Sequence, residues 1–205
     1  YLSGEIHTNW RDEIIKKCKD LNLQIQFTGP ITNHELSDDC GVSILGEENK
    51  KFWHDHKSAK INAIRIRTAI KKSDIVVTAT TSNLALFPSK IIDDGTHINA
   101  IGSNNPSRKE IGVDTLKRAK VIVDSRDTVL NEAGDIIIPI KMGQIGPNII
   151  YAELSEIVTG QKQGRINDEE ITLFESVGIP SEDVAMMKAI YLEAKKKGYG
   201  TEIEI

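Results

Sequence analysis

Asp74-Ile75-Val76-Val77-Thr78-Ala79 is the stretch that decides the fold of this 205-residue chain. Its three β-branched apolar residues stand in direct succession, between an acidic residue and a run of small, mostly polar ones. A strand that is apolar on both faces must be covered on both faces, which is typical of parallel sheets packed between helices. The stretch therefore predicts one buried strand of an α/β protein.

The sequence on the C-terminal side of this strand repeats the pattern. Short apolar runs alternate with segments of helical periodicity, which indicates a Rossmann-like, doubly wound, mostly parallel sheet. Ligands of such sheets bind beyond the carboxyl ends of the strands. From Ile149 onward we predict mainly helix, within a C-terminal helical extension that begins at about residue 141. The predicted elements are strands at 96–101 and 120–124 and helices at 113–119 and 126–133, the last ending at Gly134 as its C′ residue.

The sequence on the N-terminal side predicts a further part of the same sheet. A helix over residues 9–21 is followed by Leu23–Phe27, whose apolar and polar residues alternate with the period of a strand. Residues 31–57 form a long polar segment, and residues 59–72 have helical periodicity. Together with a short strand at 1–6, these elements predict one sheet built from both halves of the chain.

Composition and charge argue against several classes of partner. The chain is 39% hydrophobic and 27% charged, with a net charge of -4 and a pI near 5.8. Binding to nucleic acid depends on clustered Lys and Arg, so this balance predicts no nucleic-acid partner. No run of about 18 apolar residues is present, so we predict no membrane span. Two cysteines, Cys18 and Cys40, are too few for a disulfide framework, and we expect a cytoplasmic protein.

The second half, from Asp74 to the C-terminus, resembles the ornithine cyclodeaminase/mu-crystallin family. The order and spacing of several stretches match the family together. The resemblance implies a Rossmann-like domain that binds NAD or NADP and passes hydride between the nicotinamide and the α-carbon of an amino or imino acid. The matching stretches are Asp74–Thr81, Gly95–Gly112, Val121–Thr128, Glu132–Ile136, Tyr151–Gln161 and Ile171–Ile179.

The resemblance also implies a cofactor site, residue by residue. Val77–Ala79 match a strand end that the family packs against the adenosine side of the cofactor. Ser176–Gly178 match a turn that approaches the nicotinamide. For Thr78 the alternative is an ordinary residue at the end of a strand. The implied cofactor-binding residues are Val77, Thr78, Ala79, Ile101, Ser176, Val177 and Gly178.

Asn104 and Arg108 are the implied catalytic positions. Asn104 falls where cyclodeaminases place an aspartate that acts as acid and base. An amide has no proton that titrates near neutral pH, so the change argues against ornithine deamination and leaves imine reduction open. Arg108 lies where a basic residue approaches the same site, although it also reads as a solvated surface charge.

The sequence departs from this family upstream of Asp74. There the family has a strand, a Gly-x-Gly-x-x-Ala loop and a helix, preceded by an arginine and a lysine that hold the substrate carboxylate. Glycines let the backbone approach a pyrophosphate, whose charge the helix N-terminus then stabilises. Residues 1–73 contain no such loop. We therefore expect NAD or NADP binding to be weak or lost and catalysis to be impaired.

The first half resembles a different family, the YtoQ-like proteins, which are related to nucleoside 2-deoxyribosyltransferases. The matching stretches are Tyr1–Ile15, Phe27–Val42 and Ile44–Ile75. The resemblance implies a flavodoxin-type domain, and the relatives cut and re-form N-glycosidic bonds with a carboxylate nucleophile. A nucleoside or sugar-nucleotide site is therefore the alternative, with Glu5, Asp38 and Asp39 accepting from hydroxyl groups.

The polar segment before residue 57 has two other readings. His54 and His56 have the spacing of two imidazole ligands, but the neighbouring His, Asp and Cys residues follow no closed ligand pattern, and we predict no metal site. A polar loop held by hydrogen bonds, with Trp10, Phe52 and Trp53 as anchors, explains the same composition.

The two resemblances meet at Ser73–Val77, a strand that both families write almost identically. They predict three parts: a YtoQ-like half at 1–73, the distal half of a Rossmann NAD(P)-binding domain at 74–140, and a C-terminal helical segment at 141–205. The apolar face of that last segment is predicted to form a homodimer. Three functions stay open: an amino-acid dehydrogenase or ketimine reductase, a YtoQ-like nucleoside site, and a non-catalytic chimera or remnant.

Overall fold

The structure is a computed structural model that describes residues 9–29, 54–201 and 203 of the chain. The strand predicted at 1–6 and most of the polar segment before residue 57 lie outside these residues. Within them the chain forms an α/β fold with one parallel sheet, as the sequence predicts. No described helix is long and apolar enough to cross a membrane.

The helices and strands alternate along most of the described chain. In chain order they are α1 Trp10–Asp20, α2 His54–Lys71, β1 Ile75–Thr78, β2 His97–Ala100, α3 Val113–Arg118, β3 Lys120–Val123, α4 Arg126–Glu132, α5 Gly134–Lys141, β4 Ile150–Glu153, α6 Leu154–Val158, β5 Thr172–Glu175 and α7 Pro180–Lys197, with short 3-10 turns at Ser89–Ile91 and Pro147–Ile149.

The five strands form one sheet in the order β1-β2-β5-β3-β4, and every pair is parallel. The last strand of the chain, β5, lies in the centre: Leu173 pairs with Ile98 of β2 on one side and with Val121 of β3 on the other. Val76, Ile98, Val121 and Leu173 are completely buried. The core therefore runs across the sheet through the residues that the apolar runs supply.

Two strands, β4 and β5, occupy the segment that the sequence predicts to be mainly helical from Ile149 onward. That prediction is wrong because each strand has only four residues, and so short an apolar run carries little periodicity. The C-terminal helix α7 is present, but none of its residues is buried.

Gly134 does not end a helix as a C′ residue. It is the first residue of α5, and Ala133 lies between α4 and α5 in extended conformation. A β-carbon on Gly134 would collide with the carbonyl oxygens of Arg108 and Asn105. The glycine is required here by close approach of another segment, which local sequence does not reveal.

The strand predicted at Leu23–Phe27 is absent, because residues 23–29 have no regular structure. The N–H of Ile25 donates to the carbonyl of Leu23 at 3.0 Å, a local bond that bends the backbone away from a strand. Leu23 and Ile25 are 48% and 52% exposed, so the alternating pattern buries neither face. All five strands of the described sheet come from residues after Asp74.

Candidate functional site

The carboxyl ends of β1, β2 and β5 lie side by side and form the candidate site. The N–H of Ile101 donates to the carbonyl of Thr78, and the N–H of Ser176 donates to the carbonyl of Ala100, both at 3.0 Å. Neighbouring strands are about 4.8 Å apart, so Thr78 and Ser176 are separated by roughly 10 Å. The fold thus brings the predicted cofactor residues, which span a hundred positions of sequence, to one edge of the sheet.

These residues differ in what they expose at that edge. The Thr78 side chain is only 1% exposed, and its hydroxyl oxygen has no hydrogen-bond partner among the described residues. Val77 and Ala79 are partly buried, whereas Ile101 is 44% exposed. The surface beyond β1 and β2 is therefore formed by the backbone after Thr78 and by the Ile101 side chain.

The Ser176-Val177-Gly178 turn follows β5 and is held by the carboxylate of Asp124, the residue after β3. One oxygen of Asp124 accepts from the Ser176 hydroxyl at 2.9 Å, from the Val177 N–H at 3.0 Å and from the Gly178 N–H at 2.9 Å. Gly178 has φ +81, a left-handed conformation that favours glycine. The turn is therefore fixed by a buried charge as well as by its own backbone.

Glu110 holds the loops after β1 and β2 together. Its carboxylate accepts from the N–H of Thr80 and, at 2.9 Å, from the N–H of Gly102. Gly102 is needed there, because a β-carbon would meet the Thr80 backbone. This buried carboxylate replaces the ladder bonds that end with the strands.

Asp135, at the start of α5, continues this network. One of its oxygens accepts from the N–H groups of Glu110 and Ile111, each at 2.8 Å, while the other has no partner in the part of the chain that the structure describes. Burial raises the pKa of Asp135 to about 7, against the opposing effect of the Ile111 and Glu110 N–H groups, and the Glu110 charge adds to the rise. The carboxyl of Asp135 therefore takes up a proton near neutral pH.

Glu175, the last residue of the central strand, is completely buried, and neither oxygen of its carboxyl has a hydrogen-bond partner within the described ranges of the chain. Burial raises its pKa well above the ordinary value, and the nearby charges of Asp135, Glu110 and Asp124 raise it further. A charged carboxylate without a partner is very costly in such surroundings. The surroundings of Glu175 therefore favour the neutral, protonated form of its carboxyl.

Asn104 and Arg108 come together in the loop after β2. The guanidinium of Arg108 donates to the side-chain oxygen of Asn104 at 2.7 Å, and Asn104 is exposed while Arg108 is partly buried. The same loop is tied to α5, because the hydroxyl of Ser103 accepts from the N–H of Asp135 at 2.9 Å and donates to the Arg108 carbonyl. An amide and a guanidinium thus stand together beyond β2.

Sequence reasoning missed the four buried acids. Asp124 ends the strand predicted at 120–124, but the three groups of the turn that it holds lie more than fifty positions later. Glu110, Asp135 and Glu175 read as ordinary polar residues, and burial, which gives them their roles, depends on the tertiary fold. The alternative site residues Glu5, Asp38 and Asp39 lie outside the described residues. No group of His, Cys, Asp and Glu suited to a metal occurs in the described part of the chain.

Comparison with known proteins shows that the chain is similar to two different groups of proteins. The family described as "Nucleoside 2-deoxyribosyltransferase YtoQ" matches residues 1–131, which is more than half of the chain. The chain belongs to this YtoQ family. The protein YtoQ of Bacillus subtilis is 44% identical over 77 residues, covering 38% of this chain and 52% of YtoQ. The family match extends to residue 131 while this relative matches over 77 residues, so the seam at Ser73–Val77 stays a prediction.

Several other relatives of this YtoQ-family chain are of the ornithine cyclodeaminase/mu-crystallin type. A Delta(1)-pyrroline-2-carboxylate reductase of Bacillus cereus is 43% identical over 137 residues, covering 66% of this chain and 42% of the reductase. The structure of the Thermococcus litoralis Delta(1)-pyrroline-2-carboxylate reductase, in complex with NADH and L-proline, is 41% identical with a TM-score of 0.64, and the match covers 73% of this chain and 50% of that one.

The joined character predicted from sequence is therefore confirmed: a YtoQ-type part and a part of the ornithine cyclodeaminase/mu-crystallin type occur in one chain. The Rossmann-like fold is confirmed as well. The chain spans about half, or less, of the length of these relatives.

Proposed function

We propose that this chain binds a nicotinamide dinucleotide across the carboxyl ends of β1, β2 and β5. The observation that carries the proposal is the contiguity of these three strand ends, in a fold similar to a reductase solved with NADH and L-proline. Binding beyond the carboxyl edge is the general rule for open parallel sheets. The contiguity supports a single extended site rather than separate contacts.

The two ends of the site have the chemistry that the two ends of such a cofactor need. The apolar Val77 and Ala79 and the half-exposed Ile101 suit the adenosine end, because a flat aromatic ring packs on apolar surface. The fixed turn at 176–178 suits the nicotinamide, which requires a rigid polar contact to set its orientation.

The pyrophosphate between these ends has no comparable site in the part of the chain that the structure describes. Backbone N–H groups at a helix N-terminus bind such an anion, and glycines let it approach. Residues 1–73 lack the Gly-x-Gly-x-x-Ala pattern, and the buried acids after the strands offer an anion no positive charge. We therefore propose weak binding of NAD or NADP, and impaired turnover.

The reaction class that this site supports is imine reduction or amino-acid oxidation, with the bound cofactor supplying or accepting hydride. Asn104 has no proton to exchange at neutral pH, which argues against a deamination that needs an acid and a base there. Arg108 uses one N–H toward Asn104 at 2.7 Å. Its guanidinium has five N–H donors, so others remain to bind the carboxylate of an amino or imino acid.

The binding proposal is tested by isothermal titration with NADH and NADPH. We expect a dissociation constant in the high micromolar to millimolar range, and no heat at millimolar cofactor contradicts the proposal. Gly178→Ala should weaken binding, because a side chain in the left-handed region costs about 1–2 kcal/mol and shifts the turn. Gly143→Ala is the matched control: Gly143 also has positive φ and open space around its β position, but it follows α5 away from the site.

A nucleoside or sugar-nucleotide site in the first half is the second candidate, and the YtoQ family match over residues 1–131 favours it. The residues proposed for hydroxyl recognition are Glu5, Asp38 and Asp39. A panel of deoxynucleosides should shift NMR resonances of the first half, and Glu5→Gln should abolish the shifts. Silence across the panel rejects this candidate; silence in both experiments leaves a non-catalytic remnant.

A further inference from the structure

Every N–H and O–H donor of the Ser176-Val177-Gly178 turn is directed into the protein. The N–H of Ser176 bonds to the Ala100 carbonyl at 3.0 Å. The Ser176 hydroxyl and the N–H groups of Val177 and Gly178 all converge on one oxygen of Asp124, at 2.9, 3.0 and 2.9 Å. The turn has no donor left for a ligand.

Both carboxylate oxygens of Asp124 accept hydrogen bonds within the protein. Its second oxygen accepts from the N–H of Ser125 at 2.7 Å, and the residue is 6% exposed. Three donors thus share one oxygen, which has about two lone pairs, and a fourth donor bonds the other oxygen. Asp124 is therefore not placed to take a proton from a substrate or to bind a ligand directly.

The polar groups that the turn can present outward are its carbonyl oxygens, which only accept. We propose that Asp124 is a positioning residue that fixes the turn with its acceptors outward, so that the site recognises an N–H donor of the ligand, such as the carboxamide NH2 of a nicotinamide. This assignment rests on the proposed function for its ligand, but the role of Asp124 in the turn does not.

The role of Asp124 is tested without any ligand by amide hydrogen exchange in the whole chain. The N–H groups of Val177 and Gly178 should exchange slowly although Gly178 is exposed, because both are bonded to a buried charge. In Asp124→Asn their exchange should accelerate by about tenfold or more, since hydrogen bonds to charged groups are stronger than neutral ones. Asp127→Asn removes the same charge from an exposed position three residues on and should change nothing. Fast exchange at both amides in the unchanged protein overturns the assignment.

The direction of the turn is tested with NADH and its reduced 3-acetylpyridine analogue, in which a methyl group replaces the carboxamide NH2. The unchanged protein should bind the analogue about tenfold more weakly, the size of one net hydrogen bond. Asp124→Asn should lose about tenfold in NADH affinity and lose the discrimination. Equal binding of both compounds would contradict the proposal that the turn presents hydrogen-bond acceptors to the ligand. If the unchanged protein binds neither, the proposed function fails, while the exchange experiment still decides the role of Asp124.

Ser176→Ala keeps the proposal testable if Asp124→Asn does not fold. This variant removes one of the three donors and leaves the carboxylate with both N–H groups. Slow exchange at Val177 and Gly178 and the preference for NADH should both survive in it. Their loss would show that the hydroxyl, and not Asp124, fixes the turn.

Discussion

Asp135→Asn should remove a large part of the pH dependence of stability. The side chain of Asp135 is completely buried, and its pKa is raised from an ordinary 3.8 to about 7, chiefly by burial. Between these two values the folded protein holds a proton that the unfolded chain has released. The contribution of Asp135 to stability is therefore complete below about pH 4 and is lost as the pH rises toward 7.

The size of this effect follows from the width of the window. A difference of 7 − 3.8, or about 3 pKa units, at about 1.4 kcal/mol per unit corresponds to roughly 4 kcal/mol between pH 4 and pH 7. Asparagine does not titrate, yet its oxygen can still accept from the N–H groups of Glu110 and Ile111. The variant should thus resemble the protonated protein at every pH.

The assay is urea unfolding followed by circular dichroism at a series of pH values from 4.5 to 8. The quantity to compare is the free energy of unfolding of Asp135→Asn minus that of the unchanged protein, which should grow by several kcal/mol toward pH 7. The difference is needed because burial lowers the pKa of His97, which stabilises the fold as the pH rises and opposes Asp135. Asp127→Asn, at an exposed position, should give a flat difference. A difference that stays flat for Asp135→Asn as well would refute the buried-acid reasoning.

Three further predictions concern packing and charge. Gly134→Ala should destabilise the protein by about 1–3 kcal/mol and lower Tm by several degrees, since the β-carbon collides with two carbonyl oxygens; Gly112→Ala, whose β-carbon finds ordinary contact, should change Tm little. Lys120→Met should lower the free energy of unfolding by about 1.5–3 kcal/mol in chemical unfolding, because the largely buried ammonium bonds the Gly164 carbonyl and the Glu170 carboxylate. Lys196→Met removes only an exposed ion pair and should lower it by less than about 1 kcal/mol. The α7 helix leaves several apolar side chains more than half exposed, so we expect self-association that sedimentation velocity detects and that Met187→Glu abolishes; a monomer at all concentrations would contradict it.

The sequence predicts the position of a strand well where a short local pattern marks it. Three strands, Ile75–Thr78, His97–Ala100 and Lys120–Val123, agree with the predicted bounds within one or two residues. The apolar run of β1 is covered on one face only, because Val76 is completely buried while Ile75 is 54% exposed. Leu23–Phe27 has an equally regular pattern but forms no strand. Strand formation there depends on a neighbour to pair with, and a neighbour is not a local property.

In the candidate site, too, the sequence predicts the local segments but not the contacts between distant ones. The turn at 176–178 was predicted from family resemblance, and the structure shows the contacts that fix it. Asp124, which holds that turn, was not predicted because it is joined to Ser176 across 52 positions of sequence. Whether Asn104 and Arg108 take part in chemistry stays a prediction, since their 2.7 Å contact is with each other.

The central position of β5 determines how late in synthesis the sheet of this protein can fold. During synthesis β1 with β2 and β3 with β4 can emerge as two separate ribbons, and two-stranded pieces are marginally stable in water. Nothing in the described sheet joins them until residues 172–175 leave the ribosome and insert between them. A chain truncated at residue 170 should therefore be degraded rather than half-folded. Because the turn that closes the candidate site is the next segment to appear, completion of the fold and assembly of the site are a single late event.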